Sequence, residues 1–360
     1  MSRPARALVD ADALRHNLRQ ARLHAPRSRV MAVVKANGYG HGLVWVARSL
    51  NGAADAFGVS SVEEGIQLRE AGITRSICLL EGFFSPDELP LLAKHRLEPA
   101  IHCESQVDAL AQAAPMVKLS VWLKIDTGMH RLGFLPPVVP KVLKQLRSSP
   151  TVAAIRVMSH FARADIPADP DTQAQIDSFL AQIRELDLES SLANSAGILA
   201  WPQSHLDWVR PGIMLYGVSP LEGQDAATLG LSPVMTLQTA LIAVHARRKG
   251  EAVGYGGDWR CPEDMPVGVA AIGYGDGYPR HAAPGTPVLV NGKRVALAGR
   301  VSMDMITLDL RAQPDARAGD PVVLWGQGLP VEEVARSAGT IAYELLCHVT
   351  ERIPRVVRES

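Results

Sequence analysis

Between about Arg29 and Tyr216 the chain alternates short apolar runs with longer stretches in which Leu, Val and Ile recur at i, i+3 and i+4. The runs are Val30–Val34, Ala56–Val59, Ser76–Leu80, Glu98–His102, Lys118–Ile125, Val152–Met158, Leu188–Leu192 and Leu206–Val209. Runs this short read as strands buried on both faces, and stretches such as Val62–Ala71, Pro86–His95, Ser105–Ala114, Pro137–Arg147 and Thr172–Leu186 read as helices with one buried face. Strand and helix in alternation predict βα units, and eight of them predict an α/β fold of the closed (β/α)8, TIM-type barrel class; an open doubly wound sheet is the alternative. Beyond about Ser232 the helical period fades, and Val234–Ala243, Val267–Ile272, Thr286–Val290, Val295–Ala298, Met305–Leu310 and Pro321–Leu324 read as strands separated by Gly, Pro and Asp. Asn291-Gly292 between two of them is a hairpin signal. The expected division is therefore a barrel over residues 1–230 and a mostly β domain over 231–360, parted within Pro220–Gly230. Ala5–Val9 has no place in the barrel and is expected to pair with the β domain.

The length of 360 residues agrees with two units, since single cores stop growing at roughly 250–300 residues. Lys and Arg number 37 against 37 Asp and Glu, a balance that argues against a partner bound by phosphate neutralisation, so no nucleic acid is expected. The first residues, Met1–His24, lack the apolar core of a secretory signal, and no apolar run approaches a membrane span; a cytoplasmic protein without a membrane partner is expected. The four cysteines and eleven histidines are scattered without C-x-x-C or H-E-x-x-H spacing, so no protein-ligated metal is expected.

The chemistry gathers at strand ends. Lys35 directly follows the run Val30–Val34 and opens Lys-Ala-Asn-Gly-Tyr-Gly-His-Gly42. In a barrel this is the carboxyl mouth, where active sites of the fold lie, and a lysine amine there can add to a carbonyl to form a Schiff base. A strand-end lysine reaching into solvent is the plain structural alternative. Lys124 and Asp126 close the fifth run and lead to Arg131, His160 follows the sixth, Asn194-Ser195 the seventh and Arg210 the eighth. Each has an ordinary structural reading as a surface pair, a core histidine or a helix cap. Their shared position describes a site for a small, anionic, hydrogen-bonding molecule.

Val-Val-Lys-Ala-Asn-Gly-Tyr-Gly-His-Gly42 resembles the pyridoxal-phosphate attachment motif of the alanine racemase family. The resemblance continues through Leu-Lys-Ile-Asp-Thr-Gly-Met-His-Arg-Leu-Gly133, Asn-Ser-Ala-Gly197, Arg-Pro-Gly-Ile-Met-Leu-Tyr-Gly217, Val-Gly-Tyr-Gly256, Gly-Tyr-Gly-Asp-Gly-Tyr-Pro-Arg280, Gly-Arg-Val-Ser-Met-Asp304 and Ala-Tyr-Glu344. Ordered matches across both halves imply that family's fold and activity: racemisation of L-alanine and D-alanine with pyridoxal 5'-phosphate as cofactor. The resemblance implies that Lys35 carries the cofactor and acts as one base while Tyr255 acts as the other, one on each face of a planar carbanion. A phenol is a weak base at neutral pH unless a cation stabilises the phenolate, which the family's pattern assigns to His160 and Arg210.

It further implies that Tyr39, Ser195, Tyr343 and the amides of Gly212 and Ile213 hold the phosphate, with Asn194 beside them. Arg131 and the Met303 amide would orient the substrate carboxylate, Tyr274 and Arg280 would narrow the entrance with Asp304 fixing its neighbours there, and Lys124 would be a carbamylation site. Because Tyr255 lies in the β domain and reaches another subunit's barrel in the family, the resemblance implies a homodimer with shared sites. Ser302 stands where some relatives have Cys. The competing readings are a pyridoxal-phosphate racemase of broader specificity, a related decarboxylase, and a non-enzymatic pyridoxal-phosphate carrier. The last lacks a β domain, decarboxylases differ in the lysine loop, and broad-specificity racemases are commonly exported.

Overall fold

The computed structural model describes residues 3–114 and 116–358. The first strand, β1 (Arg6–Val9), precedes a helix over Ala11–His24. Asp10 starts that helix by accepting hydrogen bonds from the Asp12 and Ala13 amides, both at 2.9 Å, which satisfies two of its orphan donors. Its buried face carries Leu14, Leu18 and Ala21 together with Asn17. Fully buried, Asn17 donates to the carbonyls of Leu215 (3.0 Å) and Ser232 (2.8 Å) and accepts from the Ser232 amide (2.9 Å), so no polar atom of its amide is stranded.

Eight parallel strands then close a barrel: β2 (Arg29–Val33), β3 (Ala56–Val59), β4 (Ser76–Leu79), β5 (Leu97–Ile101), β6 (Leu119–Lys124), β7 (Val152–Met158), β8 (Ser190–Ser191) and β9 (Trp208–Val209), with β9 pairing back on β2. The closed ring settles the choice against an open sheet. Met31, Ala56, Cys78, Ala100, Trp122, Met158 and Trp208 form a cluster of their own, apart from the main core, with the Trp122 and Trp208 rings edge to face at 5.9 Å.

Beside this cluster, Glu98 accepts from Trp122 Nε1 and Arg156 (both 3.0 Å), while Glu189 accepts from Trp208 Nε1 (3.0 Å) and Arg156 (2.8 Å) and pairs with Arg29. Burial alone would raise the Glu189 carboxyl. The hydrogen bonds from Arg29, Trp208 and Arg156 outweigh it and hold the group at about 2. A carboxyl lowered in the folded state contributes stability that is complete above its unfolded pKa and is lost as pH falls toward the folded one. We therefore expect the melting temperature to drop between about pH 4.5 and 2, and Glu189→Gln to flatten that drop while lowering the neutral-pH melting temperature by a few degrees, as read by calorimetric scans.

The remaining strands are β10 (Met235–Arg247), β11 (Ala252–Val253), β12 (Trp259–Arg260), β13 (Met265–Ala270), β14 (Pro287–Val290), β15 (Lys293–Leu297), β16 (Ile306–Asp309), β17 (Pro321–Trp325) and β18 (Arg355–Val357). All but the β11/β12 pair join one sheet in the order β13-β16-β15-β14-β17-β10-β1-β18. The N-terminal strand does pair there, antiparallel to β10 and parallel to β18. Asn291 and Gly292 join β14 to β15 with φ of 50° and 75°, the left-handed pair that a two-residue hairpin requires. Helices over Val331–Ser337 and Ala342–Cys347 bring the chain back to the Lys35 loop. Among the described residues no helix is long and apolar enough to cross a membrane.

Candidate active site

Parallel strands aim their carboxyl ends at one face, and a cavity of about 590 Å³ opens there. Lys35 stands where β2 ends, and the chain then makes a left-handed turn: Ala36, Asn37 and Gly38 have φ of 54°, 53° and 62°, and Tyr39 follows at 50°. Non-glycine residues adopt this conformation at a cost on the order of 1 kcal/mol each, so the surroundings must hold it. They do so through Glu64 Oε1, which accepts from the Ala36 amide at 2.7 Å, and Asn37 Oδ1, which accepts from the Leu43 amide at 2.8 Å. Tyr216 stacks on Tyr39 at 4.6 Å and donates to the Val33 carbonyl at the end of β2 (3.1 Å). The turn aims Lys35 and Tyr39 into one cavity.

The Lys35 ammonium lies 3.5 Å from Glu81 Oε1. Glu81 follows the run Ser76–Leu80 as directly as Lys35 follows its own, so the strand-end rule could have found it and did not. Lys124, from the end of β6, is buried, and among the described residues Nζ reaches only the Leu80 carbonyl, at 3.4 Å. Burial, with Arg210 and Arg131 nearby, pulls it down to about 8. Asp126, rather than facing a ligand, folds the following turn by accepting from the Gly128 and His130 amides (both 3.0 Å) and pairing with His130, and the turn presents Arg131 to the cavity.

Arg210 is buried to 4 % exposure, and its guanidinium ends on Ser191 Oγ (2.6 Å), the Ser159 and Leu192 carbonyls and His160 Nδ1 (3.4 Å). None of these is a carboxylate, so among the described residues no ion pair neutralises the charge. Burial lowers Arg210 to about 10, which still leaves it cationic at neutral pH. The same burial, followed by the cations Arg210 and Lys124, drives His160 well below the ordinary imidazole range. With Nδ1 accepting from Arg210, a neutral His160 carries its proton on Nε2.

Ser195 Oγ accepts from the amides of Gly212 (2.9 Å) and Met214 (3.3 Å), which leaves the hydroxyl proton and the Ile213 amide for the cavity. Asn194 caps the helix Ser195–Ala200 through the Gly197 amide (2.9 Å) while also lining the cavity. Tyr39 and Tyr343 approach to 6.2 Å between ring centres, and burial first, then each one's charged or phenolic neighbour, pushes both phenols up, so both remain O–H donors. At Gly212 a side-chain carbon would sit 2.7 Å from Tyr39 Oη, so only glycine admits the hydroxyl this close. Asp165 and Ile341 also line the cavity and lay in no motif that sequence reasoning weighed chemically.

Tyr255, Met303, Tyr274, Arg280 and Asp304 lie outside the cavity of their own chain. Tyr255 is 68 % exposed on the turn between β11 and β12, flanked by an Arg300–Asp258 ion pair. Tyr274, Met303 and Asp304 form one cluster: the Gly275 amide donates to the Met303 carbonyl (2.9 Å), and Asp304 pairs with Arg352 (2.6 Å). Buried Asp276 ties this cluster to Arg3 and the Gly273 amide. Arg280 is exposed nearby in sequence, at the end of the same segment.

Residues 9–220 match the family model for the alanine racemase N-terminal domain, and residues 234–357 match that for the C-terminal domain. An alanine racemase from Nitrosococcus oceani is 56 % identical over 352 residues, covering 98 % of each chain. The biosynthetic alanine racemase of Escherichia coli is 52 % identical over 351 residues, covering 97 % of this chain and 98 % of that one. The crystal structure of the biosynthetic alanine racemase from Pseudomonas aeruginosa superposes with a TM-score of 0.96 at 48 % identity, covering 99 % of this chain and all of that one. With both halves matched in order, and with relatives this similar from end to end, the chain belongs to the alanine racemase family of isomerases.

Proposed function

We propose that the chain interconverts L-alanine and D-alanine with pyridoxal 5'-phosphate, using Lys35 and Tyr255 as bases on opposite faces of the substrate. The observation that carries this reading is the gathering of Lys35, Lys124, Arg131 and Arg210 around one cavity that is also lined by the phenols of Tyr39 and Tyr343 and the hydroxyl of Ser195. That donor set suits a phosphate, and Gly212 lets the Tyr39 hydroxyl join it against the backbone. Bound there, the cofactor supplies the electron sink that makes the α-proton of alanine acidic.

In this reading Lys35 holds the cofactor through its amine and, once released, takes or returns the α-proton on the face of D-alanine. Tyr255 of a second copy does the same on the face of L-alanine, and His160 steadies the phenolate by donating from Nε2. Arg210 would lie toward the cofactor's ring, where its buried positive charge would oppose ring protonation and so limit side reactions. Tyr39, Ser195, Tyr343 and the Ile213 amide hold the phosphate with Asn194 and Gly212 shaping the same wall. Arg131 and the Met303 amide take the substrate carboxylate. Lys124, whose amine is partly neutral near pH 8, is the form that adds carbon dioxide, and the resulting carbamate would pair with Arg131.

Tyr274, Arg280 and Asp304 narrow the entrance from the β domain. We take residues 1–230, apart from the β1 strand that joins the other sheet, as the barrel unit and 231–360 as the unit that carries Tyr255 to the neighbour, giving a homodimer with shared sites. We place it in the cytoplasm, supplying D-alanine for peptidoglycan. The test is a chiral chromatographic assay of the purified protein with added cofactor against a panel of L- and D-amino acids. Alanine should approach an equal mixture from either enantiomer, far faster than bulky side chains. Equal rates for long side chains, or product from one enantiomer alone, would overturn the assignment.

A further inference from the structure

Arg355 begins β18, where its neighbours pair with β1, and its side chain leaves the sheet for the Lys35 loop. Among the described residues, all five of its side-chain hydrogen bonds end on main-chain carbonyls. Nε and Nη2 hold the Gly40 carbonyl at 3.0 and 2.9 Å. Nη2 also reaches Val349 (2.6 Å), and Nη1 reaches Thr350 (2.6 Å) and Ile353 (2.8 Å). Gly40 closes the left-handed turn that carries Tyr39, with φ of 77°. Its α-carbon packs so closely that an added side-chain carbon would fall 2.0 Å from the Leu346 carbonyl. Val349, Thr350 and Ile353 follow directly on the helix Ala342–Cys347, which carries Tyr343. One guanidinium thus binds the strained turn under the first phenol to the segment behind the second.

We propose that Arg355 is a positioning residue for the phosphate end of the site: its five-bond fork fixes the Tyr39 turn against the Tyr343 helix and so sets the separation of the two hydroxyls. The inference rests on the reading in which those phenols hold the cofactor's phosphate. A rigid planar fork is needed because the carbonyls it joins belong to two segments. Lysine keeps the charge yet offers one rotating ammonium and cannot span both with fixed geometry.

The experiment titrates the cofactor-free protein with pyridoxal 5'-phosphate and, separately, with pyridoxal, following the dissociation constant by fluorescence quenching in a phosphate-free buffer. Wild type is compared with Arg355→Lys, Tyr39→Phe and Tyr343→Phe, and Arg355→Gln serves should the lysine variant not fold by circular dichroism. Arg355→Lys is expected to raise the dissociation constant of pyridoxal 5'-phosphate roughly tenfold and that of pyridoxal by less than about twofold. Equal weakening of both ligands would make Arg355 a general prop, and no change in either would remove it from the site; both results overturn the proposal. Should the two Tyr→Phe variants leave the preference for the phosphorylated ligand intact, the reading beneath it fails instead. Should they erode that preference while Arg355→Lys does not, only the role of Arg355 fails.

Discussion

Lys35→Ala is expected to lower racemisation by at least about 10³-fold in both directions, because under the proposed function it would remove both the covalent hold on the cofactor and one of the two bases. The structural argument is positional. Lys35 stands where β2 ends and enters the cavity from a turn whose strain is held by Glu64, Asn37 and Tyr216. Lys124 lines the same cavity and is pulled down to about 8, so it is the obvious substitute amine. It is nevertheless bound to the Leu80 carbonyl and walled in by Arg210 and Arg131. Reduction of the loaded protein with borohydride, then proteolysis and mass mapping, should put the label on the peptide containing Lys35 and leave Lys35→Ala unlabelled. A label on Lys124 in the wild type would end the assignment. Added methylamine offers a graded check, since a small amine can restore proton transfer without restoring attachment.

Much of the architecture was legible because it obeys simple periodicities. β8 and β9 are only two residues long, and Glu189, Ser190, Ser191 and Asp207 interrupt Leu188–Leu192 and Leu206–Val209, so these two were legible from their place at the end of the βα alternation rather than from a clear apolar run. The β10 and β13–β17 strands were legible for the complementary reason that Gly, Pro and Asn-Gly punctuate them. The pair β11/β12 and the strand β18 were not. Each has two or three residues, and Arg355 begins β18 with a charge that reaches back to the Gly40 carbonyl, more than 300 positions away. No local pattern encodes such a contact.

The cavity divides in the same way. Lys35, Lys124, His160, Asn194 and Arg210 were found because strand ends converge in a barrel, and the cavity brings them together. Glu81 obeys the same rule and was passed over only because no motif drew attention to it. The left-handed turn over Ala36–Tyr39 could not be read from its residues, since Ala and Tyr do not favour positive φ. The turn exists because Tyr216, Leu346 and Arg355 surround it, which makes it a tertiary fact.

The separation of Tyr255 from the cavity sets the second large effect. Tyr255→Ala should reduce racemisation by roughly 10²–10⁴-fold, the range of a lost general base, with α-proton abstraction from L-alanine hit harder than from D-alanine. Deuterium wash-in from heavy water, measured by mass for each enantiomer, reads this asymmetry directly; equal retention from both would remove the two-base account. Tyr255 is exposed and lies outside the cavity of its own chain, so the proposed function brings it to the Lys35 of a second copy. Lys35→Ala and Tyr255→Ala, each nearly inactive, should then complement. In an equal mixture that has exchanged subunits, half of the dimers are hybrids, and each hybrid holds one site with both bases and one with neither, so activity should recover to about a quarter of wild type per chain. Exchange is verified independently by native mass spectrometry of tagged chains. With exchange shown and no recovery, Tyr255 would have to act within its own subunit, which requires the β11/β12 turn to swing onto the barrel mouth. Recovery near one quarter excludes that motion and fixes which chain supplies which base.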